Sequence, residues 1–406
     1  MSKIDDLIKE LCPNGVKKYK LSDIINFENG KGHEKVVNEN GKYVLLTSKA
    51  ISTELKSFRR TDEQLSPLFK NDIAMVMSDL PNGRALAKCF LVDCDDLYTL
   101  NQRVCRLTNK VDFVNEKYLY YILNRNRQLL KYDNGVDQTN LKKDDILKIE
   151  VFIPPIKVQE EIVRILDKFG ELEAELEAEL EARKSQYEFW RGKLLNKEYG
   201  NKKNIYEVTI WDKKFNSVEK NMQPSTIKYP VLLASDLFLL DKPNGNVFLL
   251  STGEQTGWTT EELAGENLCE GEVVTIPWGK SRPVSEVMKY YNGKFVTGDN
   301  RIATSNDKDL LLNKYLYYWF QNNGNEIDTF YRGAGIQHPN MKKILTMTID
   351  IPPLEIQKNI VNILDKFESL VNDITLGLPA EIELRRKQYE YYRNKLLSFE
   401  ELSVSE

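Results

Sequence analysis

Ile153-Pro154-Pro155-Ile156, Gln159, Ile162-Val163 and Ile165-Leu166-Asp167-Lys168-Phe169 return 198 residues later. The second copy reads Ile351-Pro352-Pro353-Leu354, Gln357, Ile360-Val361 and Ile363-Leu364-Asp365-Lys366-Phe367. The same offset relates Gln102-Arg103-Val104 to Asn300-Arg301-Ile302 and Gly135 to Gly333. Lys117-Tyr118-Leu119-Tyr120-Tyr121 matches Lys314-Tyr315-Leu316-Tyr317-Tyr318 one residue out of register. A period this long exceeds that of any solenoid or propeller repeat. The pattern therefore predicts two copies of a whole module, each a globular region followed by a helix. Such a chain is expected to have a pseudo-two-fold axis, which suits a target with two separated halves.

Around the prolines, Ile149 to Ile153 reads as a strand that Pro154-Pro155 ends. Proline is tolerated in a helix's first turn, so a helix is expected from Val158 to about Asn196, with Gly170 and Gly192 tolerated inside it. Ile162, Leu166, Phe169, Leu172, Leu176, Leu180, Tyr187 and Trp190 recur at steps of three and four, the stripe of a helix burying a seam against another helix. The second helix carries Ile360, Leu364, Phe367, Tyr389 and Tyr392 on the same pattern. Leu376-Gly377-Leu378-Pro379 should interrupt it, because an interior proline costs about 3 kcal/mol. Glu-Leu-Glu-Ala occurs three times in tandem over 171–182. A strong helix former with a solvated acidic face would look like this. A four-residue unit is also close to one turn, so copies added or removed would change only the length: a ruler.

Short β-prone runs, Tyr43-Val44-Leu45-Leu46 and Ile73-Ala74-Met75-Val76-Met77, alternate with turns at Pro13-Asn14-Gly15 and Pro81-Asn82-Gly83. A helix is expected from Glu116 to about Lys131. Later, Asn246–Leu250 and Glu272–Ile276 read as strands. The fold class is α+β: two pseudo-two-fold-related α/β domains separated by two long antiparallel helices forming a coiled coil. The boundaries are 1–152 for the first domain, 153–198 for the first spacer helix, 199–350 for the second domain and 351–406 for the second helix.

The charge balance is less acidic than it looks. The net charge of −4 includes Glu171, Glu173, Glu175, Glu177, Glu179 and Glu181, and setting those six aside leaves +2. Local fields decide which surface meets phosphate, so nucleic acid is not excluded. The absence of a run of 18 apolar residues and of an apolar N-terminal stretch predicts a cytoplasmic protein without a membrane span. Five cysteines, none spaced CxxC, read as buried or incidental thiols, and with His33 and His338 alone a zinc site is not expected.

Catalytic motifs do not assemble. An amino-methyltransferase needs Asn, Asp or Ser before Pro-Pro and an aromatic after it, whereas Ile precedes both pairs and Ile or Leu follows. Phe330-Tyr331-Arg332-Gly333-Ala334-Gly335 lacks the strand–loop–helix context of a cofactor loop. Gly279-Lys280-Ser281 ends like a phosphate loop, but Val274 stands where that loop needs glycine. What remains are basic and amide-rich loops. In the first region these are Lys31, His33, Lys49, Arg59, Arg60, Arg84 and Lys88, with Asn134, Gln138 and Asn140 before the last strand. In the second they are Trp258, Lys280, Ser281, Arg282, Arg332, Gln337, His338 and Asn340. Arg and Lys pair with guanine edges or phosphates, and Asn and Gln with adenine edges. Arg103 and Arg301, repeated at one place, are assigned to the scaffold.

The order of variable region, Ile-Pro-Pro-x-x-x-Gln-x-x-Ile-Val-x-Ile-Leu-Asp-Lys-Phe helix, second variable region and second helix resembles the specificity (S) subunit of type I restriction–modification enzymes. The resemblance covers nearly the whole chain, including Cys12-Pro13-Asn14-Gly15-Val16 and Gly377-Leu378-Pro379-Ala380-Glu381-Ile382. It implies a non-catalytic subunit of an adenine-specific DNA methyltransferase and type I endonuclease, each globular domain reading one half of a bipartite double-stranded DNA target. It further implies that the helices set the spacer and dock two methyltransferase (modification) subunits. S-adenosylmethionine would then sit on those subunits, and ATP and Mg on a restriction/translocase subunit, with no cofactor on this chain. The competing expectation is a structural coiled-coil protein with protein-binding ends.

Overall fold

Proline has no N–H to give a ladder, so it closes a strand, and its fixed φ suits the first turn of a helix. Both repeats use it this way. Glu150–Phe152 pairs antiparallel with Lys18–Lys20 and leads into the helix Ile156–Leu195. Thr348–Asp350 pairs with Lys202–Asn204 and leads into Leu354–Asn372. In this computed structural model the described residues are 3–81, 83–252, 257–280, 282–298, 300–373 and 377–402. The chain divides into two compact units, Met1–Leu176 with Ile382–Glu406, and Glu177–Glu381. The boundary falls inside the long helix, at the second Glu-Leu-Glu-Ala.

The first unit holds a four-stranded sheet in the order Ile25–Asn29, Val104–Asn109, Ile73–Val76, Cys89–Leu91. Beside it lies a three-stranded sheet, Arg59–Thr61, Tyr43–Leu46, Tyr98–Leu100, whose last pair runs parallel with Val44 opposite Tyr98. The second unit has one six-stranded sheet: Thr209–Trp211, Asn300–Ser305, Cys269–Pro277, Lys289–Thr297, Val247–Leu250, Gly257–Thr259. The strand order is the same. Lys289–Thr297 does as one strand what Cys89–Leu91 and Tyr98–Leu100 do as two. The difference is chemical: Asp93, Asp95 and Asp96 are poor strand residues, and Asp96 adopts φ +55°, so the first copy turns there.

The repeated motif residues prove to be internal fasteners. Gln159 and Gln357 are both fully buried. Gln159 accepts from the Asn115 N–H at 2.8 Å and donates to the Phe113 and Pro154 carbonyls at 2.9 and 2.7 Å. Gln357 repeats this with the Leu312 N–H at 2.9 Å and the Leu310 and Pro352 carbonyls, both at 2.8 Å. Asp167 takes Tyr121 Oη at 2.5 Å and Lys117 Nζ at 2.8 Å. Asp365 likewise takes Tyr318 Oη and Lys314 Nζ. Each pair ties the tyrosine-rich helix to the long one.

Ile162 and Leu166 share the first core with Tyr118 and Leu119, and Ile360 and Leu364 share the second with Tyr315 and Leu316. These four stripe residues therefore pack into globular regions rather than solely along a helix seam. Helix–helix contact in the first unit comes from Phe169, stacked on Tyr392 at 5.4 Å and near Tyr389 at 6.5 Å, and from Glu173 with Arg386 at 2.6 Å. Rising numbers on one helix meet falling numbers on the other, so these segments run antiparallel. Leu172, Leu176 and Leu180 are half-buried. In the second unit Tyr187 meets Phe367 at 6.4 Å. Trp190 lies outside that contact, 38% exposed and edge-on to Phe189, which is 62% exposed.

The C-terminal segment completes the first unit. Val16 and Glu401 form a bridge, Phe399 meets Phe152 at 6.0 Å, and the Arg393 guanidinium donates to the Tyr121 and Asn124 carbonyls at the end of Glu116–Leu123. That helix stops short of the expected Lys131. Arg125 adopts φ +56° and its N–H turns to the Ala87 carbonyl at 2.8 Å, after which Asn126 caps a short helix, Arg127–Leu130. The expected interruption of the last helix is present: Leu354–Asn372 ends and Leu378–Leu396 begins, with Pro379 in the new first turn. Only glycine fits at 377, since a Cβ there would lie 2.6 Å from the Ser369 carbonyl oxygen.

Candidate nucleic-acid interface

At one end of the first unit's sheets, five segments are knit together by backbone bonds. The Lys31 N–H donates to the Leu100 carbonyl at 3.1 Å, and the Asn101 N–H to the Leu46 carbonyl at 3.1 Å. The Met77 N–H donates to the Arg103 carbonyl at 2.9 Å. Ser78 and Asp79 pair with Asn140 and Thr139. Gly30 must be glycine, because a Cβ would stand 2.2 Å from the Asn101 carbonyl oxygen. The surface so assembled presents Lys31, Lys49, Gln102, Arg103, Gln138 and Asn140, all exposed. Gln138 donates to Ser78 Oγ at 2.7 Å. Glu34 is an acid on this face, held below the ordinary carboxylate range by its own backbone N–H and then by the Gln102 amide at 2.8 Å.

The second unit builds the same end of the same sheet differently. Val76 faces Val104 and Thr275 faces Ile302, so Asp79 and Trp278 occupy equivalent places. Asp79 accepts the Ala85 and Leu86 N–H groups at 2.6 and 3.1 Å, folding its loop back. Trp278 instead covers the Arg301 guanidinium at 3.7 Å and carries His338 at 4.8 Å on a 34° interplanar angle. Arg332 and His338 are opposite partners in a two-stranded hairpin, Tyr331–Arg332 with His338–Pro339. Both are exposed. Lys289 lies beneath the same end, its Nζ 2.7 Å from the Ser251 carbonyl, and burial pushes it down to about 8.

Several expected contact residues are structural. His33 is 1% exposed. Its Nδ1 donates to the Lys31 carbonyl at 2.7 Å, and its Nε2 accepts from the Leu65 N–H at 3.3 Å and lies 2.9 Å from Thr99 Oγ1. It cannot reach DNA. Lys280 is half-buried, its side chain largely covered, ion-paired with Asp328 and 4.7 Å above the Tyr331 ring. Lys88 is paired with Glu54 at 3.0 Å. Asn340 caps Met341–Leu345, accepting the Lys343 N–H at 3.3 Å. Asn134 is exposed but its Oδ1 closes a turn on Val136 and Asp137. Arg60 reaches the Gly41 and Lys42 carbonyls at 3.4 Å over Phe58. Gln337 is held to Lys280 by two backbone bonds.

Arg59, Arg84 and Arg282 are exposed, and Ser281 lies outside the described residues. Trp258, 44% exposed, joins Phe248 and Tyr291 in an aromatic patch. Of the two repeated arginines, Arg301 is 6% exposed and does belong to the scaffold, but Arg103 is exposed. Sequence reasoning also passed over Trp278, Val136 in the loop before Thr139–Asn140 and Ile336 at the hairpin tip, the last two 76% and 67% exposed. An aliphatic residue one and three positions after the repeated Gly135 and Gly333 was the available signal. Four cysteines are buried and Cys94 is half-buried, and none is disulfide-bonded. Among the described residues no group of three His, Cys, Asp or Glu side chains could hold a metal, and no helix is long and apolar enough to cross a membrane.

Two modules with one strand order, each ending in a polar loop face, define a duplicated recognition protein. The sequence matches the type I restriction modification DNA specificity domain twice, over residues 13–182 and 228–384. The chain belongs to that family, the specificity subunits of type I restriction–modification systems. It is 32% identical over 328 residues to a Haemophilus influenzae protein named as a type I restriction enzyme specificity subunit, covering 72% of this chain and 74% of that one. It is 30% identical over 261 residues to a type I restriction enzyme specificity subunit of Escherichia coli, covering 60% of each. The fold is similar to that of a type I restriction–modification S subunit from M. genitalium, at a TM-score of 0.55 and 14% identity over 94% of this chain and 96% of that one. A chain solved in a study of type I complex assembly and conformational transition gives 0.58 at 15% identity, over 95% and 98%.

Proposed function

We propose that each unit reads one half of a bipartite double-stranded DNA target, as the non-catalytic subunit of an adenine-specific methyltransferase and type I endonuclease. The observation that carries this is the pair of equivalent faces. One strand order holds Lys31, Lys49, Arg103, Gln138 and Asn140 in the first unit and Trp278, Arg332 and His338 in the second. A shared scaffold with different side chains suits two different base sequences. Cations position a protein on phosphates, while amides, arginine and histidine discriminate base edges. A two-stranded ribbon fits the major groove, which favours the hairpin around Ile336 as the inserted element of the second unit.

On this reading the long helices form the antiparallel spacer and dock two modification subunits. Exposed aromatic pairs recur there at equivalent places, Phe189 with Trp190 and Tyr391 with Tyr392, which supports a protein partner on both helices. The modification subunits would bring S-adenosylmethionine, and a restriction subunit would bring ATP and Mg, in the cytoplasm. Membership of a DNA-specificity family tells against the purely structural coiled-coil alternative. The test is replacement of residues 20–152 by another such region, followed by sequencing of methylated adenines. One half-site should change while the other keeps its bases; if both change together, the assignment of one domain to one half-site is wrong.

A further inference from the structure

We infer that Arg332 and His338 together read a single G·C base pair in the major groove, an inference that rests on the half-site reading above. The argument begins with the proton on His338. Its Nδ1 lies 3.0 Å from the Trp278 carbonyl oxygen, and a carbonyl only accepts, so Nδ1 carries the hydrogen. In the neutral ring Nε2 is then a lone-pair acceptor, and among the described residues it has no hydrogen-bond partner. The ring cannot turn freely. It rests on the Trp278 indole at 4.8 Å, which itself rests on the buried Arg301 guanidinium at 3.7 Å. Arg301 is thus a positioning residue beneath the stack.

Arg332 stands directly across the hairpin from His338. Opposite residues in an antiparallel pair put their side chains on one face, about 5 Å apart at Cβ. Arg332 is exposed, and among the described residues it makes no hydrogen bond or ion pair. An arginine held beside a base edge with no internal partner keeps its whole donor fork for a ligand. The pair therefore offers two parallel donors next to one acceptor. In the major groove guanine shows two acceptors, N7 and O6, and its partner cytosine shows one donor, the N4 amino group. An A·T pair shows one acceptor and one donor on adenine and an acceptor on thymine, which would set the thymine oxygen against the His338 lone pair. The complementary pair is G·C, with guanine under Arg332 and cytosine under His338.

The test uses the full chain co-expressed with its modification subunits, with the target defined by sequencing methylated adenines. Arg332→Lys keeps the charge but loses the fork, and His338→Ala removes the acceptor. Both variants should melt with the wild type, keep the first half-site and the spacer, and relax the same G·C position in the second half-site. Preference at that position should fall roughly 5- to 150-fold, the range of a bidentate base contact. The inference is overturned if Arg332→Lys keeps full selectivity, which would mark a phosphate contact. It is also overturned if the two variants relax different positions, or if the second half-site holds no G·C pair. Failure of the underlying reading would look different: the wild-type complex would show no bipartite target at all.

Discussion

Replacing Gln159 by Ala tests whether the repeated motif is a fastener. The side chain is fully buried and serves three backbone groups: the Asn115 N–H at 2.8 Å and the Phe113 and Pro154 carbonyls at 2.9 and 2.7 Å. Truncation leaves all three without a partner. A buried group so stranded costs about 1–3 kcal/mol, and water entering the vacated space offsets part of it, so a loss of about 3–6 kcal/mol is expected. For a unit of roughly 200 residues each kcal/mol moves the melting temperature by about 2–4 °C, giving a fall of roughly 6–24 °C by calorimetry. Gln357→Ala should do the same, because its three contacts repeat within 0.1 Å of one another in geometry and chemistry. Gln159→Glu should be at least as damaging, since it turns a carboxylate oxygen toward two carbonyls. A fall below about 3 °C for either alanine variant would refute the accounting, because it would mean the three groups find other partners.

Deleting one Glu-Leu-Glu-Ala unit removes about 6 Å of helix and turns the rest by roughly 40°. The half-sites should keep their bases while the spacer between them shortens by about one base pair, two at most; an unchanged spacer in the methylated target would refute the ruler. The purified chain alone should neither retain S-adenosylmethionine in calorimetric titration nor methylate DNA, and methylation by it would sink the division of labour. Glu161, 4% exposed, is paired with Arg164 at 2.6 Å and Lys3 at 2.8 Å, and the Arg164 guanidinium first, then Lys3, draw its carboxyl down to about 2. A depressed carboxylate stabilises the fold above its unfolded value, near 4.3, and loses that contribution as pH falls toward about 2. Glu161→Gln should therefore melt lower than the wild type at pH 7, with the gap closing between about pH 4.5 and 2. A gap that stays constant across that window would show the pair contributes nothing.

The duplication, the helix starts after Pro155 and Pro353, the strands at Tyr43–Leu46 and Val247–Leu250 and the break before Pro379 were all legible in the sequence. Each follows from local pattern: proline's missing N–H, a period of three and four, or β-branched runs between turns. The helix from Glu116 was legible at its start but not at its end, because Arg125 turns toward Ala87, 38 positions away in the chain. The candidate face was only half legible. Composition marked polar loops, yet exposure within them is set by distant partners. Lys280 looked like a surface cation and its side chain is folded down onto Asp328; Arg103 looked like scaffold and is exposed.

The two histidines show where that line falls. Both stand in polar, glycine-flanked stretches, and composition marks them equally as contacts for DNA. Both bind a backbone carbonyl through Nδ1. His33 is closed over by Thr99 and Leu65, so its second nitrogen serves the interior. His338 rests on Trp278, 60 positions back, and stays exposed, with no hydrogen bond to its second nitrogen among the described residues. The sequence by itself determined the two modules, their helices and the loops that vary between them, because those rest on neighbours along the chain. Only the tertiary structure decided which side chains in those loops are free to meet a ligand, because burial depends on residues the chain brings back from far away.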